Sequence, residues 1–283
     1  MWLRSWITFS VLISLLLSLL FIGFLVHASL PFFIDYGLSP IIGSEWYPYE
    51  NLYGLLPALL GSAWAIIIAL AIALPCGLAA AIVCVEILPQ RYHGLVNLVI
   101  DILAGIPSVV YGLLGIALLL PWLENNLDLL SGHSLLAAGL LLSIMILPTI
   151  IRLSQDALRD IDNSYHEAAS NLGLDWSQRL FAVLLPQAWP SIRSASLLAT
   201  GRGLGETIAV MLVVGSIDRI PDPWYNLLAP AQTITSRIGR EMGEASVGSS
   251  HWSALMASGL ILTLFVMLLS ILAHTPKKGV AHG

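Results

Sequence analysis

The stretch ALLGSAWAIIIALAIALPCGLAAAIVCV, residues 58–85, decides the class of fold because it contains no charged side chain. Crossing about 30 Å of hydrocarbon takes about 20 mostly apolar residues in an α-helix, so this stretch is long enough to cross a membrane. The whole chain has the same character: 57% of its 283 residues are hydrophobic, 10% are charged, and the mean hydropathy is +0.86. This composition indicates a polytopic membrane protein rather than a soluble domain.

Five further apolar runs reach membrane length, which predicts an all-α polytopic membrane protein with six transmembrane helices. The third run contains Pro107, so we expect a bend there. The first run follows Arg4 and could instead be a cleaved signal peptide, but its apolar region of more than twenty residues favours a retained anchor. The six predicted spans are Trp6–Ala28, Ala58–Val85, Leu95–Leu120, Leu135–Ile151, Ala195–Ser216 and Trp252–Ala273.

The distribution of lysine and arginine predicts the orientation of these spans. Of the 12 Lys and Arg residues, eight fall on one side of the membrane, three fall on the other, and Arg202 falls inside the fifth span. Because cytoplasmic loops carry the excess of positive charge, both termini are expected in the cytoplasm. The eight are Arg4, Arg91, Arg152, Arg159, Arg179, Arg193, Lys277 and Lys278; the three are Arg219, Arg237 and Arg240.

A polar loop between the fourth and fifth spans, residues 152–193, is expected to form two short amphipathic helices. Ser164 and Glu167 have the spacing of a capping box, which predicts a helix start near residue 165. Gly173 stands where a left-handed helix end needs a residue without a Cβ. Asp175 and Gln178 repeat the cap signature for a second helix.

The same loop carries small residues that favour close contact with a partner protein. Ala168, Ala169 and Leu172 are expected to share one helix face, and Pro186 is expected to end the second helix. Ordinary interfacial helices lying on the bilayer are the alternative interpretation of such a loop.

Both signs of charge enter the fifth span in the string GRGLGETIAV, residues 201–210. Arg202 and Glu206 are four residues apart, so on a helix they share a face and can pair. An unpaired arginine at the bilayer centre costs roughly 2.5 to 3.5 kcal/mol, so Arg202 is expected to face protein, water or a counter-ion. A structural ion pair and a direct role in anion passage both fit a guanidinium. Gly201 and Gly205 form a small-xxx-small ridge that predicts a close helix contact.

The remaining acid at membrane depth is Asp101, near the start of the third span. It is a candidate intramembrane acid, or it lies only near the interface or caps a half-helix. No pattern predicts an enzyme, since the chain lacks HExxH and Gly-x-Ser-x-Gly motifs. The glycines of residues 201–205 follow no strand and fit no nucleotide-binding fingerprint. We therefore expect no catalytic residue, no metal site, no cofactor and no nucleic-acid partner in this chain.

The loop resembles the coupling loop of importer-type ABC transporter permeases. The family pattern is Glu-Ala-Ala, three residues, Gly, nine residues, Ile, one residue and Leu-Pro, and this sequence departs from it in having Val183 where Ile is usual. The resemblance implies a type I ABC importer permease fold whose cytoplasmic coupling helix docks on separate ATPase subunits, so that the chain has no ATPase site of its own. The residues implied in coupling are Glu167, Ala168, Ala169, Gly173, Leu185 and Pro186.

Three further strings are similar to the phosphate-specific ABC importer: residues 104–112, residues 202–210, and residues 233–238 followed by Glu244-Ala245. The string GETIAV at residues 205–210 is more similar to the first of its two permeases, the C-subunit type. The resemblance implies a second homologous permease, two ATP-binding subunits, an external phosphate-binding protein and phosphate as the transported ion. From the charges within residues 201–210, we place Arg202, Glu206 and Thr207 in the translocation path or in a structural ion pair.

Two alternatives stay open at this point. Sulfate or molybdate is the nearest alternative substrate, because nothing in the spans offers a dense cage of hydrogen-bond donors. A proton-coupled secondary anion transporter is the rival class, with Asp101 and Glu206 as relay acids and Arg202 as the anion site.

These spans and motifs predict four parts of the chain. Residues 1–30 form an N-terminal transmembrane anchor helix, residues 31–57 an external loop, and residues 58–275 the ABC permease transmembrane domain with the coupling loop at 152–193. Residues 276–283 form a cytoplasmic tail.

Overall fold

The structure, a computed structural model, describes residues 2–273 and is mostly helical; the predicted tail at 276–283 lies outside the described residues. An antiparallel hairpin of β1 (Trp46–Tyr47) and β2 (Leu52–Tyr53) follows the first helix, with 3-10 turns at Ser39–Ile41 and Pro48–Glu50. The helices of the described part are α1 Trp2–Tyr36, α2 Leu56–Ile82, α3 Gln90–Gly105, α4 Ser108–Leu114, α5 Leu120–Leu127, α6 Leu135–Arg159, α7 Asn163–Asn171, α8 Trp176–Arg179, α9 Leu185–Leu204, α10 Ile208–Val213, α11 Ile234–Glu241 and α12 Ser250–Ala273.

Five helical stretches within residues 2–273 are long and apolar enough to cross a membrane. The first, second, fourth and sixth predicted spans each correspond to one of them. The five stretches are Ser5–Tyr36, Leu56–Ile87, Ser108–Leu127, Leu135–Arg159 and Ser250–Ala273. Two of them include π-helical turns, at Val83–Ile87 and Gly115–Leu119, that continue or join the α-helical parts.

The predicted third span, Leu95–Leu120, is wrong in its start, because the helix is interrupted at Pro107 instead of only bending there. Ile106 has extended backbone dihedral angles of φ −66° and ψ 127°, which end α3 at Gly105, and α4 begins at Ser108. The residue before a proline is driven out of the helical region by the proline ring, which explains the break. The Tyr111 hydroxyl donates to the Leu103 carbonyl at 2.8 Å and ties the two sides together.

The predicted fifth span, Ala195–Ser216, is wrong as a continuous helix. α9 ends at Leu204, residues 205–207 leave the helical path, and α10 continues for six residues from Ile208 to Val213. Three glycines lie within residues 201–205, and glycine destabilises a helix interior by about 1 kcal/mol relative to alanine. The most polar part of the predicted span is therefore a break between two half-helices.

The centre of the bundle is the packing of α2 along α6. Glycines permit the closest approaches: a Cβ on Gly77 would lie 2.7 Å from Ile150 Cγ2, and one on Gly139 would lie 2.5 Å from the Ile68 side chain. Close van der Waals packing of this kind holds helices together in lipid, whose tails are as apolar as the side chains. α1 packs against α12 at the side of this core.

Candidate functional site

The loop after α6 folds as two helices joined by a tight turn, as the sequence predicts. The predicted cap at Ser164 is wrong by two residues, because the side chain of Asp162 accepts the hydrogen bond from the Ser164 backbone N–H at 2.8 Å. Asp162 has an extended backbone just before α7, which is the usual conformation of an N-cap residue. Hydrogen bonds from Ser164 lower the pKa of the Asp162 carboxyl below its ordinary value of 3.8.

The turn between the two helices is confirmed at both predicted positions. Gly173 has φ +70°, the left-handed conformation in which a Cβ is strained, and the Leu174 N–H donates to the Ala169 carbonyl at 3.2 Å. Asp175 and Gln178 form a complete capping box at the start of α8, with bonds of 2.8 and 3.1 Å. Gly173 thus ends α7 with the left-handed conformation that the sequence predicts.

Pro186 does not end the second helix, which corrects the sequence prediction. α8 passes into a π-helical segment, Leu180–Leu184, and then into α9, where Pro186 occupies the first turn. A proline inside a helix removes one hydrogen bond and clashes with the carbonyl four residues earlier. The wider π-helical turn before Pro186 absorbs that clash, so the helical path from Trp176 to Leu204 is uninterrupted.

The exposed face of the loop differs from the predicted one. Ala168 is exposed and Leu172 is 77% exposed, whereas Ala169 is buried at 2%. Residues four apart share a face of a helix and adjacent residues are separated by about 100°, so Ala169 points away from the other two. Glu167 and Pro186 are also exposed, and Leu185 is half-buried.

The three residues at the predicted intramembrane patch lie at the break between α9 and α10, but the predicted pairing of Arg202 with Glu206 is wrong. Arg202 Nη1 donates to Thr149 Oγ1 on α6 at 3.1 Å, and the described residues show no ion pair between Arg202 and Glu206. The helix ends at Leu204, so the four-residue spacing no longer places both side chains on one face. Thr207 lies in the break itself, with its hydroxyl 3.4 Å from the Gly205 carbonyl.

The predicted glycine ridge is also displaced. A Cβ on Gly201 would meet only Val266 Cγ1 at 3.3 Å, and one on Gly205 would meet only the backbone of its own helix. Gly203 makes the close contact instead, because a Cβ there would lie 2.6 Å from Ile66 Cδ1 on α2. α9 therefore presents Gly203 to α2 and leaves Arg202 exposed on another face.

Asp101 is not an isolated acid. Its carboxylate pairs with Arg152 Nη2 on α6, and the same nitrogen donates to the Asn97 carbonyl at 3.2 Å. The Asp101 side chain is 62% exposed, so this pair joins α3 to α6 at the protein surface. Surface pairs of this kind typically contribute about 1 kcal/mol or less.

A buried arginine near the start of α2 was not predicted from the sequence as part of a site. Arg237 on α11 has a fully buried side chain, and its guanidinium carbon lies 4.1 Å from the ring centroid of Trp46. Its Nε donates to Asp218 Oδ1 at 2.9 Å, and its Nη1 donates to the Gly54 carbonyl at 3.2 Å. The buried charge is thus compensated by a carboxylate, a carbonyl and an aromatic face.

The network continues through Glu241, at the last residue of α11. Glu241 accepts hydrogen bonds from Trp46 Nε1 at 2.9 Å, from Arg240 at 2.7 Å, and shares one of 2.8 Å with His251. Burial alone raises the pKa of Glu241, but the bonds from Arg240, His251 and Trp46 outweigh burial and lower it below its ordinary value of 4.5. Arg240 also pairs with Asp218. We call these residues the Arg237 cluster: Trp46, Asp218, Arg237, Arg240, Glu241 and His251.

A cleft of about 500 Å³ adjoins the Arg237 cluster. All members of the cluster except the buried Arg237 line it, together with residues 47–49 of the hairpin region and Glu244, Ala245, Ser246 and Ser249. The sequence carries only a partial signal for it. Arg237, Arg240 and Glu241 have helical spacing after a Thr233–Ser236 capping box, but their partners Trp46 and Asp218 are remote in the chain. Only the tertiary fold brings these residues together.

The family model described as binding-protein-dependent transport system inner membrane component matches residues 73–275. The chain belongs to this family. Within residues 2–273, no group of three or more His, Cys, Asp or Glu side chains could hold a metal ion.

The chain is also similar, over most of its length, to individual transport permeases. It is 35% identical to the probable ABC transporter permease protein YqgH of Bacillus subtilis, covering 97% of this chain and 91% of that protein. It is 32% identical to the phosphate transport system permease protein PstC of Mesorhizobium japonicum, covering 84% and 78%. It is 31% identical to the probable phosphate transport system permease protein PstC of Methanocaldococcus jannaschii, covering 93% and 89%.

Solved structures confirm the predicted type I ABC importer permease fold. An inward-facing structure of the MetNI methionine ABC transporter superposes with a TM-score of 0.57 at 18% identity, covering 81% of this chain and 96% of that chain. A bacterial alginate ABC transporter in complex with its pentasaccharide-bound periplasmic protein superposes with a TM-score of 0.57 at 15% identity, covering 95% and 93%.

The Arg237 cluster gives a stability prediction for this permease. Asp218→Asn removes the carboxylate that faces the fully buried Arg237, so the free energy of unfolding should fall by about 3 kcal/mol, the low end for breaking a buried pair. Thermal unfolding of the purified protein measures the change. Asp35→Asn, at an exposed position near the end of α1, is the matched control and should leave the midpoint unchanged. Equal midpoints for the two variants would contradict the role of Asp218.

Proposed function

We propose that this chain is the C-type permease subunit of an ABC importer that moves inorganic phosphate through a bacterial inner membrane. Its partners in this proposal are a second homologous permease, two ATP-binding subunits that hydrolyse ATP, and an external phosphate-binding protein. The similarity to permeases named for phosphate transport, over most of the chain, carries the proposal. The excess of Lys and Arg at the end of the bundle that bears α7 and α8 supports a cytoplasmic position for that end and for both termini.

The surface offered to the ATP-binding subunits is α7 and the turn that follows it. Glu167, Ala168 and Leu172 are exposed there, and the small side chain of Ala168 permits close approach by a groove on the partner. In this proposal the 77% exposed Leu172 supplies the apolar contact with the partner. In this proposal ATP-driven closure of the partner subunits moves α7 and α8 together, because Gly173 joins them by a single tight turn.

Movement of α8 reaches the membrane through α9. The helical path runs without interruption from Trp176 to Leu204 and ends at the break of residues 205–207. A continuous helical path can carry displacement along its length, whereas a break allows the two half-helices to change their mutual angle. The break is therefore the place where we expect the transport path to open and close.

Arg202 is the residue on this path that suits an oxyanion. It is exposed in the single chain and donates one hydrogen bond, to Thr149, although a guanidinium carries five N–H donors. The remaining donors are free to bind a passing phosphate in the fork geometry that arginine favours. Glu206 is half-buried at the same break and limits the net positive charge there, so an anion is bound only transiently.

The function is tested by purifying the complex that forms on this chain and reconstituting it in vesicles. We expect co-purified ATP-binding subunits and a second permease, and phosphate uptake that requires both nucleotide and a phosphate-loaded external binding protein. Uptake driven by a proton gradient without nucleotide would contradict the proposal and favour a secondary transporter. Uptake of sulfate or molybdate in preference to phosphate would contradict phosphate as the substrate but would leave the proposed class of transporter standing.

The coupling surface is tested by Leu172→Asp. The side chain is 77% exposed, so the fold should tolerate the change, but a charge in the apolar contact should weaken binding of the ATP-binding subunits by about 2 kcal/mol, roughly thirtyfold. Co-purification and ATP-dependent uptake report the loss. Asn171→Asp adds the same charge at the neighbouring exposed position and is the control. Equal binding by both variants would place the contact elsewhere.

The role of Arg202 in the path is tested by Arg202→Gln. If its free donors bind the anion, phosphate uptake should fall about tenfold or more, since hydrogen bonds to charged groups are worth about 1.5 to 3 kcal/mol. Assembly of the complex should be unchanged, and Arg202→Lys should retain part of the uptake because it keeps the charge but not the fork. Failed assembly of Arg202→Gln would support a structural role through Thr149 instead.

A further inference from the structure

A second contact joins the loop to the membrane helices besides the covalent chain. Arg179, the last residue of α8, lies with Nη2 3.4 Å from Oε2 of Glu86, in the π-helical turn Val83–Ile87 that continues α2. The two residues are 93 positions apart in the sequence. The Glu86 side chain is 9% exposed and that of Arg179 is 28% exposed, so the pair is largely shielded from water.

The position of this pair determines which helices follow the loop. The loop continues covalently from α6 and into α9, but α2 reaches it through Glu86. α2 in turn packs along α6 as the largest helix contact of the described bundle and approaches Gly203 of α9 through Ile66. A loop movement transmitted through Glu86 would therefore reach the helix that faces the break at residues 205–207.

The Glu86–Arg179 pair makes fewer and longer hydrogen bonds than an arginine–carboxylate pair can make. A charge-assisted N–H···O bond is usually about 2.7 to 2.9 Å long and an arginine–carboxylate pair is often bidentate. Here Glu86 and Arg179 share one contact of 3.4 Å, and Arg179 Nε is buried without a hydrogen-bond partner. A small displacement of α8 towards α2 would allow a second, shorter bond through that Nε.

Both partners also adjoin backbone that departs from α-helical geometry. Glu86 lies inside the π-helical turn Val83–Ile87, and Arg179 directly precedes the π-helical segment Leu180–Leu184. Single π-helical turns inside α-helices occur frequently at functional sites, where the backbone can change its local hydrogen bonding. The pair thus joins two segments whose local geometry can change with little loss of helix.

We propose that Glu86 and Arg179 are positioning residues that couple the movement of the loop to α2, forming a closer, two-bond pair in one state of the transport cycle than in the state described here. The inference rests on the proposed function, since it assigns these residues a role in ATP-driven transport. A static brace is the alternative, in which the pair holds α8 in place and its geometry does not change during the cycle.

The test uses the complete complex in vesicles, with phosphate uptake and ATP hydrolysis measured on the same preparation. Glu86→Gln and Arg179→Gln should each lower the phosphate moved per ATP hydrolysed by at least about fivefold, the lower bound for a typical coupling between sites. The exchange Glu86→Arg with Arg179→Glu should restore most of that ratio. Arg193→Gln, which removes an exposed positive charge from the same helical path, is the matched control and should leave the ratio unchanged.

The outcomes separate the inference from the function on which it rests. An unchanged ratio in both single variants, or an exchange that restores nothing, would overturn the coupling role and leave the proposed function standing. If the neutral variants fail to assemble, Arg179→Lys keeps the charge but lacks the second bond, and it should assemble with a reduced ratio; a normal ratio would favour the static brace. A wild-type complex without nucleotide-dependent uptake would instead overturn the proposed function.

Discussion

A chain that leaves its helical path inside a membrane must bond the freed backbone groups within the protein, because lipid offers no hydrogen-bond partner. In the proposed function the break between α9 and α10 lies at such a depth. The Glu206 carbonyl accepts a hydrogen bond from Thr235 Oγ1 at 2.8 Å, and the Gly205 N–H donates to the Arg202 carbonyl at 3.1 Å. α11 thus supplies a partner for a carbonyl group that the break removes from the helix.

The rest of α11 is held by the same requirement. The Ile234 N–H at its start donates to Ser62 Oγ on α2 at 3.0 Å, and a Cβ on Gly61 would lie only 2.0 Å from the Gln232 carbonyl oxygen. Only glycine at position 61 allows this approach. Once α11 begins there, its next turns carry Arg237 and Glu241 to the cluster with Trp46, so the break, α11 and the cluster form one continuous structure.

The features that the sequence predicts well are those that depend on neighbouring residues. The length of an apolar run sets a membrane-spanning helix, as in Leu135–Arg159, and the Asp175–Gln178 box and the left-handed Gly173 follow from local backbone geometry. The error at Ser164 is of the same local kind, since Asp162 is a competing acceptor only two residues away. Fold class and the shape of the loop were therefore within reach of the sequence.

The features that could not be predicted from the sequence depend on contacts between residues far apart in the chain, or on two local preferences that favour different structures. A four-residue spacing predicts that Arg202 and Glu206 pair, but the glycines before Glu206 end the helix and Thr149 on α6 becomes the partner of Arg202. Trp46 and Glu241 are 195 residues apart, so neither periodicity nor spacing indicates their bond. The break at Pro107 shows the competition, because apolar length favours a continuous span while the proline ring excludes helical backbone at Ile106.

Pro186 shows how the loop and α9 form one continuous helical path. A proline normally marks a helix end, yet the π-helical segment before it removes the clash and keeps α8 continuous with α9. Had the helix ended at Pro186, the loop would have joined the bundle through a non-helical link, and the movement that we propose for the loop would have had no helical path to α9. The sequence predicts a helix end at Pro186. The π-helical segment Leu180–Leu184 instead keeps the helix continuous from α8 to the break beside Arg202.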